Sequence, residues 1–153
     1  MSLLDELRAR LPDDCIQADP DVVAAYAQDR ALFERPGTAA VLVMPRDTAD
    51  VVATMAAARA AGAPVVTRGA GTGLCGGANA VDGCVILSMH RMDRVLHVDD
   101  ANRTVRVQPG VLNGALKRAV AAAPAGPPAD DPAAADTAAD SAETAEEEAV
   151  SAG

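Results

Sequence analysis

Pro64-Val65-Val66-Thr67-Arg68-Gly69-Ala70-Gly71-Thr72-Gly73-Leu74-Cys75-Gly76-Gly77 is the stretch on which the reading of this chain turns. A short apolar run meets a segment with five glycines in ten residues, 68–77. Glycine lets a backbone turn sharply and enter positive φ, so successive N–H groups can converge on one anion. Residues 69–77 contain no Asp, Glu, Lys or His. The loop therefore reads as a binding element without catalytic side chains, and a phosphate or pyrophosphate is the ligand its chemistry favours. The plain alternative is a glycine-rich connection that binds nothing.

Working outward, the chain alternates between strand and helix signals. Residues 2–11 form a short amphipathic helix with Leu3, Leu4, Leu7 and Leu11 at helical spacing. A second helix is expected over 20–28, opening on Asp19-Pro20-Asp21. After the turn signal Arg35-Pro36-Gly37, the run Ala40-Val41-Leu42-Val43-Met44 predicts a buried strand ended by Pro45. Asp47 or Thr48 caps a helix to about Ala61, with Asp50 placed for a capping box and Val51, Val52, Met55 and Ala58 as its apolar face. Gly62 and Pro64 stop it. Val65-Val66-Thr67 is the next strand, Cys84 to Ser88 a third and Val95 to Val98 a fourth. Asn102-Arg103 is a turn into a half-buried strand, Thr104 to Val107, and Val111 to Ala122 is helical beyond Gln108-Pro109-Gly110. The order β-α-β-loop-β-β-β-α predicts an α+β domain with a mixed sheet.

Composition limits the partners. Eight of the 22 acids lie in 124–153 with no base among them, which leaves 14 acids against 13 bases in residues 1–123. The formal charge of −9 thus belongs to the tail. With Tyr26 and Phe33 the only aromatics and no basic stripe, nucleic-acid binding is not expected. Cys15, Cys75 and Cys84 are odd in number and lack close pairing, which argues against a disulfide framework or a zinc site. Reduced thiols, no signal peptide and no transmembrane segment together predict a cytoplasmic protein. Residues 124–153, nearly all Ala, Asp, Glu, Pro, Thr, Ser and Gly, predict a disordered acidic tail with nascent helix near 141–150.

Gly71-Thr72-Gly73-Leu74-Cys75-Gly76 matches the G-x-G-x-x-G dinucleotide fingerprint and follows a strand. That fingerprint needs a helix opening inside it, and Gly77-Ala78-Asn79-Ala80-Val81-Asp82-Gly83 is too short and glycine-rich for one. The ATP-type phosphate loop lacks its Gly-Lys-Ser/Thr. Three motifs in order instead carry a different likeness: Met44-Pro45-Arg46-Asp47-Thr48-Ala49-Asp50-Val51, the glycine loop, and Val107-Gln108-Pro109-Gly110-Val111. With them, residues 1–122 resemble the FAD-linked oxidases that carry a p-cresol methylhydroxylase-type flavin domain, among them the flavin subunit of glycolate oxidase and FAD-dependent D-lactate dehydrogenases.

The resemblance implies an FAD site. Backbone N–H groups of Arg68, Gly69, Ala70, Gly71 and Thr72 would wrap the pyrophosphate, Gly76 and Gly77 would allow close approach, and Pro109 and Gly110 would line the flavin. Some members attach the flavin through a histidine in this loop; Thr72 stands in the matching region, so noncovalent FAD is expected. Cys75 reads as a small packing residue. His90 and His97 show no metal-ligand pattern, Arg91, Arg94 and Arg103 read as solvated surface, and Asp99-Asp100 as a turn.

The likeness implies the N-terminal half of that flavin domain: residues 1–35 a helical segment, 36–123 a partial FAD-binding domain, 124–153 the tail. Members of the family continue into a Gly-Gly-Asn-type motif and a substrate-covering domain that this sequence lacks. No catalytic residue is assigned, because the groups that bind a 2-hydroxy acid lie in that part. The expected function is that of a truncated 2-hydroxy acid dehydrogenase or oxidase that binds FAD. The alternative is an inert fragment that binds FAD weakly or only assembles with a partner chain. The change at Pro124 and the single lysine, Lys117, against twelve arginines suggest a truncated or frame-shifted product of a GC-rich gene.

Overall fold

The structure, a computed structural model, describes residues 2–122 except positions 32, 34 and 101. The acidic segment 124–153 and its expected helix lie outside the described residues.

Helix α1, Leu3–Arg8, opens on a capping box: Asp5 N–H donates to Ser2 Oγ, and Ser2 N–H to Asp5 Oδ2. It ends before the expected Leu11, since the residue ahead of Pro12 is disfavoured in helical geometry. Leu11 still folds back, its N–H donating to Leu7 O at 2.9 Å, and both leucines are buried. A 3-10 turn, Asp13–Cys15, then leads into strand β1, Ile16–Gln17, which the sequence reading did not contain. Two residues are too few to show an alternation. Helix α2, Pro20–Ala25, is shorter than expected; Asp19 caps it by accepting from Asp21 and Val22 N–H.

Strands β2 (Val41–Val43), β3 (Val65–Arg68) and β4 (Val85–Ser88) join β1 in a four-stranded sheet of order β1-β2-β4-β3. β4 runs parallel to both β2 and β3, while β1 is antiparallel to β2, so the sheet is mixed. Helix α3, Thr48–Ala61, carries the chain from β2 across to β3. Its cap is Asp47, which accepts from Asp50 N–H at 2.9 Å. Gly62, at φ +66°, ends it in a Schellman turn closed by Ala63 N–H to Ala58 O and Gly62 N–H to Arg59 O.

The expected capping box of α3 is not formed. The Asp50 carboxylate accepts from Arg46 N–H and Nε, each at 3.0 Å, rather than from the cap residue. Its expected apolar face is also only partly right, because Val52 and Met55 are exposed and Thr54, Ala57 and Ala58 are buried. Most positions on this helix are small or apolar, alanines above all, so sequence spacing alone could not choose the side that packs.

Both faces of the sheet are covered. Val41, Val43, Val85 and Leu87 pack with Leu7, Leu11, Ala57 and Ala58 on one side. Leu42 and Ile86 pack with Val23, Ala27 and Ala80 on the other. This two-sided burial is why β2 and β4 read as continuous apolar runs. Strands β5 (Val95–Asp99) and β6 (Thr104–Val107) form a separate antiparallel hairpin, closed by Asp99 accepting from Asn102 N–H and by Arg103 at φ +53°. Helix α4, Asn113–Ala122, follows and buries none of its residues. Among the described residues no helix is long and apolar enough to cross a membrane.

Candidate functional site

The glycine loop leaves the carboxyl end of β3, which pairs Arg68 with Ser88 of β4. Ligands of parallel sheets bind at that end of the strands. Gly71 and Gly76 stand at φ +69° and +76°, the left-handed region that glycine enters freely. Gly69, Ala70, Thr72 and Gly77 are exposed, whereas Arg68, Gly71 and Gly76 are half-buried. Among the described residues, none of the N–H groups from Gly69 through Gly77 donates to a protein acceptor. Cys75 is exposed, which corrects its reading as a packing residue: Gly73, Leu74 and Gly77 beside it are exposed as well.

A floor under the loop comes from residues 26–31. Arg30 N–H donates to Gly73 O at 2.9 Å, and Ala80 N–H to Ala27 O at 2.7 Å. The buried Asp29 carboxylate accepts from Ala31 N–H at 2.8 Å and from Ala78 N–H at 3.4 Å. Asp29 N–H in turn donates to Asn79 Oδ1 at 2.8 Å. The sequence reading missed Asp29 and Asn79, whose contacts between the floor and the loop span about fifty positions.

Pro109 and Gly110 arrive at the same end of the sheet. Gly110 N–H donates to Met92 O at 2.8 Å, and a Cβ there would overlap the Met89 carbonyl oxygen. Met89 directly follows β4, so this motif and the glycine loop flank the ends of neighbouring strands. Gln108 is buried and locks the approach, accepting from Arg94 N–H at 3.0 Å through Oε1. Around the strand ends stand Tyr26 and His90, ring centroids 6.4 Å apart, with His90 Nδ1 2.9 Å from Ser88 Oγ.

Arg91 is not free surface. It donates through Nη1 to Asp14 O and through Nη2 to Asp14 Oδ2, the latter at 2.9 Å, and the guanidinium holds that carboxyl below the usual carboxylate range. Arg46 binds Asp50 and reaches Asp14 at 3.8 Å. Cys15 is buried with its Sγ 3.6 Å from Asp50 Oδ2; burial, then the Asp50 charge, pushes its thiol up. This cluster ties the turn before β1 to the start of α3 and to the segment after β4, and offers no open nucleophile.

The exposed loop therefore presents unpaired N–H donors, positive-φ glycines and no carboxylate of its own, a donor set suited to a diphosphate. A family model described as FAD binding domain matches residues 39–138. The chain belongs to this FAD-binding family. Glycolate oxidase subunit GlcD of Escherichia coli K12 is 36% identical over 114 residues, covering 73% of this chain and 22% of that protein. An uncharacterized FAD-linked oxidoreductase of Mycobacterium tuberculosis is 42% identical over 86 residues, 56% of this chain and 19% of its own length. Among solved structures, 4-ethylphenol oxidase from Gulosibacter chungangensis superposes with a TM-score of 0.69 at 24% identity, over 78% of this chain and 24% of that one. p-Cresol methylhydroxylase gives 0.67 at 21%, over the same shares. The FAD-binding domain thus has the p-cresol methylhydroxylase-type fold and spans about a fifth of the length of these sequence relatives.

Proposed function

We propose that this domain grips FAD by its pyrophosphate on the backbone N–H groups that run from Arg68 through Thr72. Gly76 and Gly77 would let the chain approach beside it, and Pro109 and Gly110 would line the flavin. The observation that carries this reading is that the N–H groups of Gly69 through Thr72, just past the carboxyl end of β3, donate to no protein acceptor among the described residues. When bound, FAD supplies two-electron redox chemistry; the protein's part is to hold and orient it. Thr72 stands where a covalent link would need a nucleophilic ring, so the flavin is held noncovalently. We assign residues 36–123 to the partial FAD-binding domain and 1–35 to a mainly helical lead-in whose strand β1 joins the same sheet.

The longer proteins that this chain resembles include a glycolate oxidase subunit, a D-lactate dehydrogenase and a D-2-hydroxyglutarate dehydrogenase, whose names all denote 2-hydroxy acid oxidation. We propose the same substrate class for the oxidation that this domain serves. A second reading, a module that is inert until it assembles with another chain, draws support from α4, which buries no residue and leaves the preceding Leu112 66% exposed.

Purified protein reconstituted with FAD and passed through gel filtration should elute yellow, with flavin absorbance in the protein peak. Acid precipitation should then leave the flavin in the supernatant. Colourless protein at saturating FAD would sink the first reading, and flavin in the pellet would overturn the noncovalent assignment.

A further inference from the structure

We propose that the Arg68 side chain is a positioning residue that shapes the glycine loop for a diphosphate, an inference that rests on the reading of this loop as the FAD pyrophosphate site. The Arg68 guanidinium turns back beneath its own loop. A Cβ on Gly71 would collide with it, so the left-handed turn at Gly71 lies directly against the guanidinium plane. On another side Cζ stands 5.9 Å from the centroid of the Tyr26 ring. Nη1 donates to Gln28 O at 2.8 Å, next to the Asp29 anchor. The cation is thus held between an aromatic ring, a backbone carbonyl and the glycine turn.

Two consequences follow from that arrangement. First, the shape of 68–72 depends on a planar group of this thickness, which a lysine does not reproduce. Second, Arg68 is the one charged side chain of 68–77 and its guanidinium lies against Gly71, a positive charge at the turn, while the Asp29 carboxylate lies farther along, by Gly73 and Ala78. A diphosphate bound to the loop's N–H groups is favoured by both terms. The Tyr26 ring supports the guanidinium through its face, and its hydroxyl has no part in the contact.

The test uses the full chain, with ADP as a diphosphate probe lacking flavin and riboflavin as a flavin lacking phosphate. Tyr26→Phe should match wild type. Tyr26→Ala, Arg68→Lys and Arg68→Ala should each weaken ADP and FAD by about tenfold or more while leaving riboflavin unchanged. In the same ligand-free variants the amide NMR resonances of Gly69 to Gly73 should move, with little change in Tm. Arg68→Lys that binds ADP like wild type with unmoved loop resonances would overturn the proposal, as would Tyr26→Ala behaving like Tyr26→Phe. Wild type that ignores both FAD and ADP would instead overturn the FAD reading; the ligand-free resonances would still decide whether Arg68 shapes the loop. Should Arg68→Ala fail to fold, Arg68→Lys and Tyr26→Ala carry the same decision.

Discussion

Gly71 and Gly110 are glycines for different reasons. At Gly71 the backbone itself requires it, since φ is +69° and the Arg68 guanidinium occupies the space of a side chain. Gly71→Ala should cost about 1–2 kcal/mol for the left-handed residue and dislodge the loop, so FAD retention on gel filtration should fall far more than Tm. At Gly110 the reason is close approach to Met89 and Met92 carbonyls. Asp29 is the residue-scale finding that sequence reading could not supply. Its buried carboxylate satisfies two backbone donors, so Asp29→Ala should destabilise by about 1–3 kcal/mol in urea unfolding. An outcome near zero would show that the floor under the loop does not depend on it.

At the scale of the element, α3 shows how much local chemistry encodes. Asp47 at its start and Gly62 at its end are legible, because caps are interactions between near neighbours. The packed side was not legible, since an alanine-rich helix has small residues all round. The Asp50 carboxylate, hydrogen-bonded by Arg46, sits below the usual carboxylate range in the folded protein. Its contribution to stability is therefore complete above the unfolded-state value and is lost as pH falls through the lower folded value. Thermal melts should show stability declining below about pH 4. Asp50→Asn should lower stability at pH 7 and flatten that acid slope; an unchanged slope would assign the acid sensitivity to other carboxylates such as Asp14.

The whole molecule is a sheet covered on both faces, with the two loop motifs brought to one end. Leu42 and Ile86 alternate against Val41, Val43, Val85 and Leu87, so each face has its own core. Ile86→Ala should cost about 2–5 kcal/mol in denaturant unfolding, whereas Val52→Ala on the exposed side of α3 should stay within about 0.5 kcal/mol. Comparable losses at both positions would contradict the assigned packing side.

The amino-acid sequence by itself determined the order of the helices and of strands β2 to β6, the ends of α3 at Asp47 and Gly62, the glycine loop and the motifs that mark the FAD-binding family. Each of these depends on residues a few positions apart, or on a linear pattern. The tertiary structure alone decided that β4 lies between β2 and β3, that Ile16–Gln17 adds an antiparallel edge, and that residues 26–31 support the loop. It also decided that Pro109-Gly110 meets the end of β4, beside the end of β3 from which the glycine loop departs. Those contacts join groups tens of residues apart through hydrogen bonds and packing, which no local periodicity records.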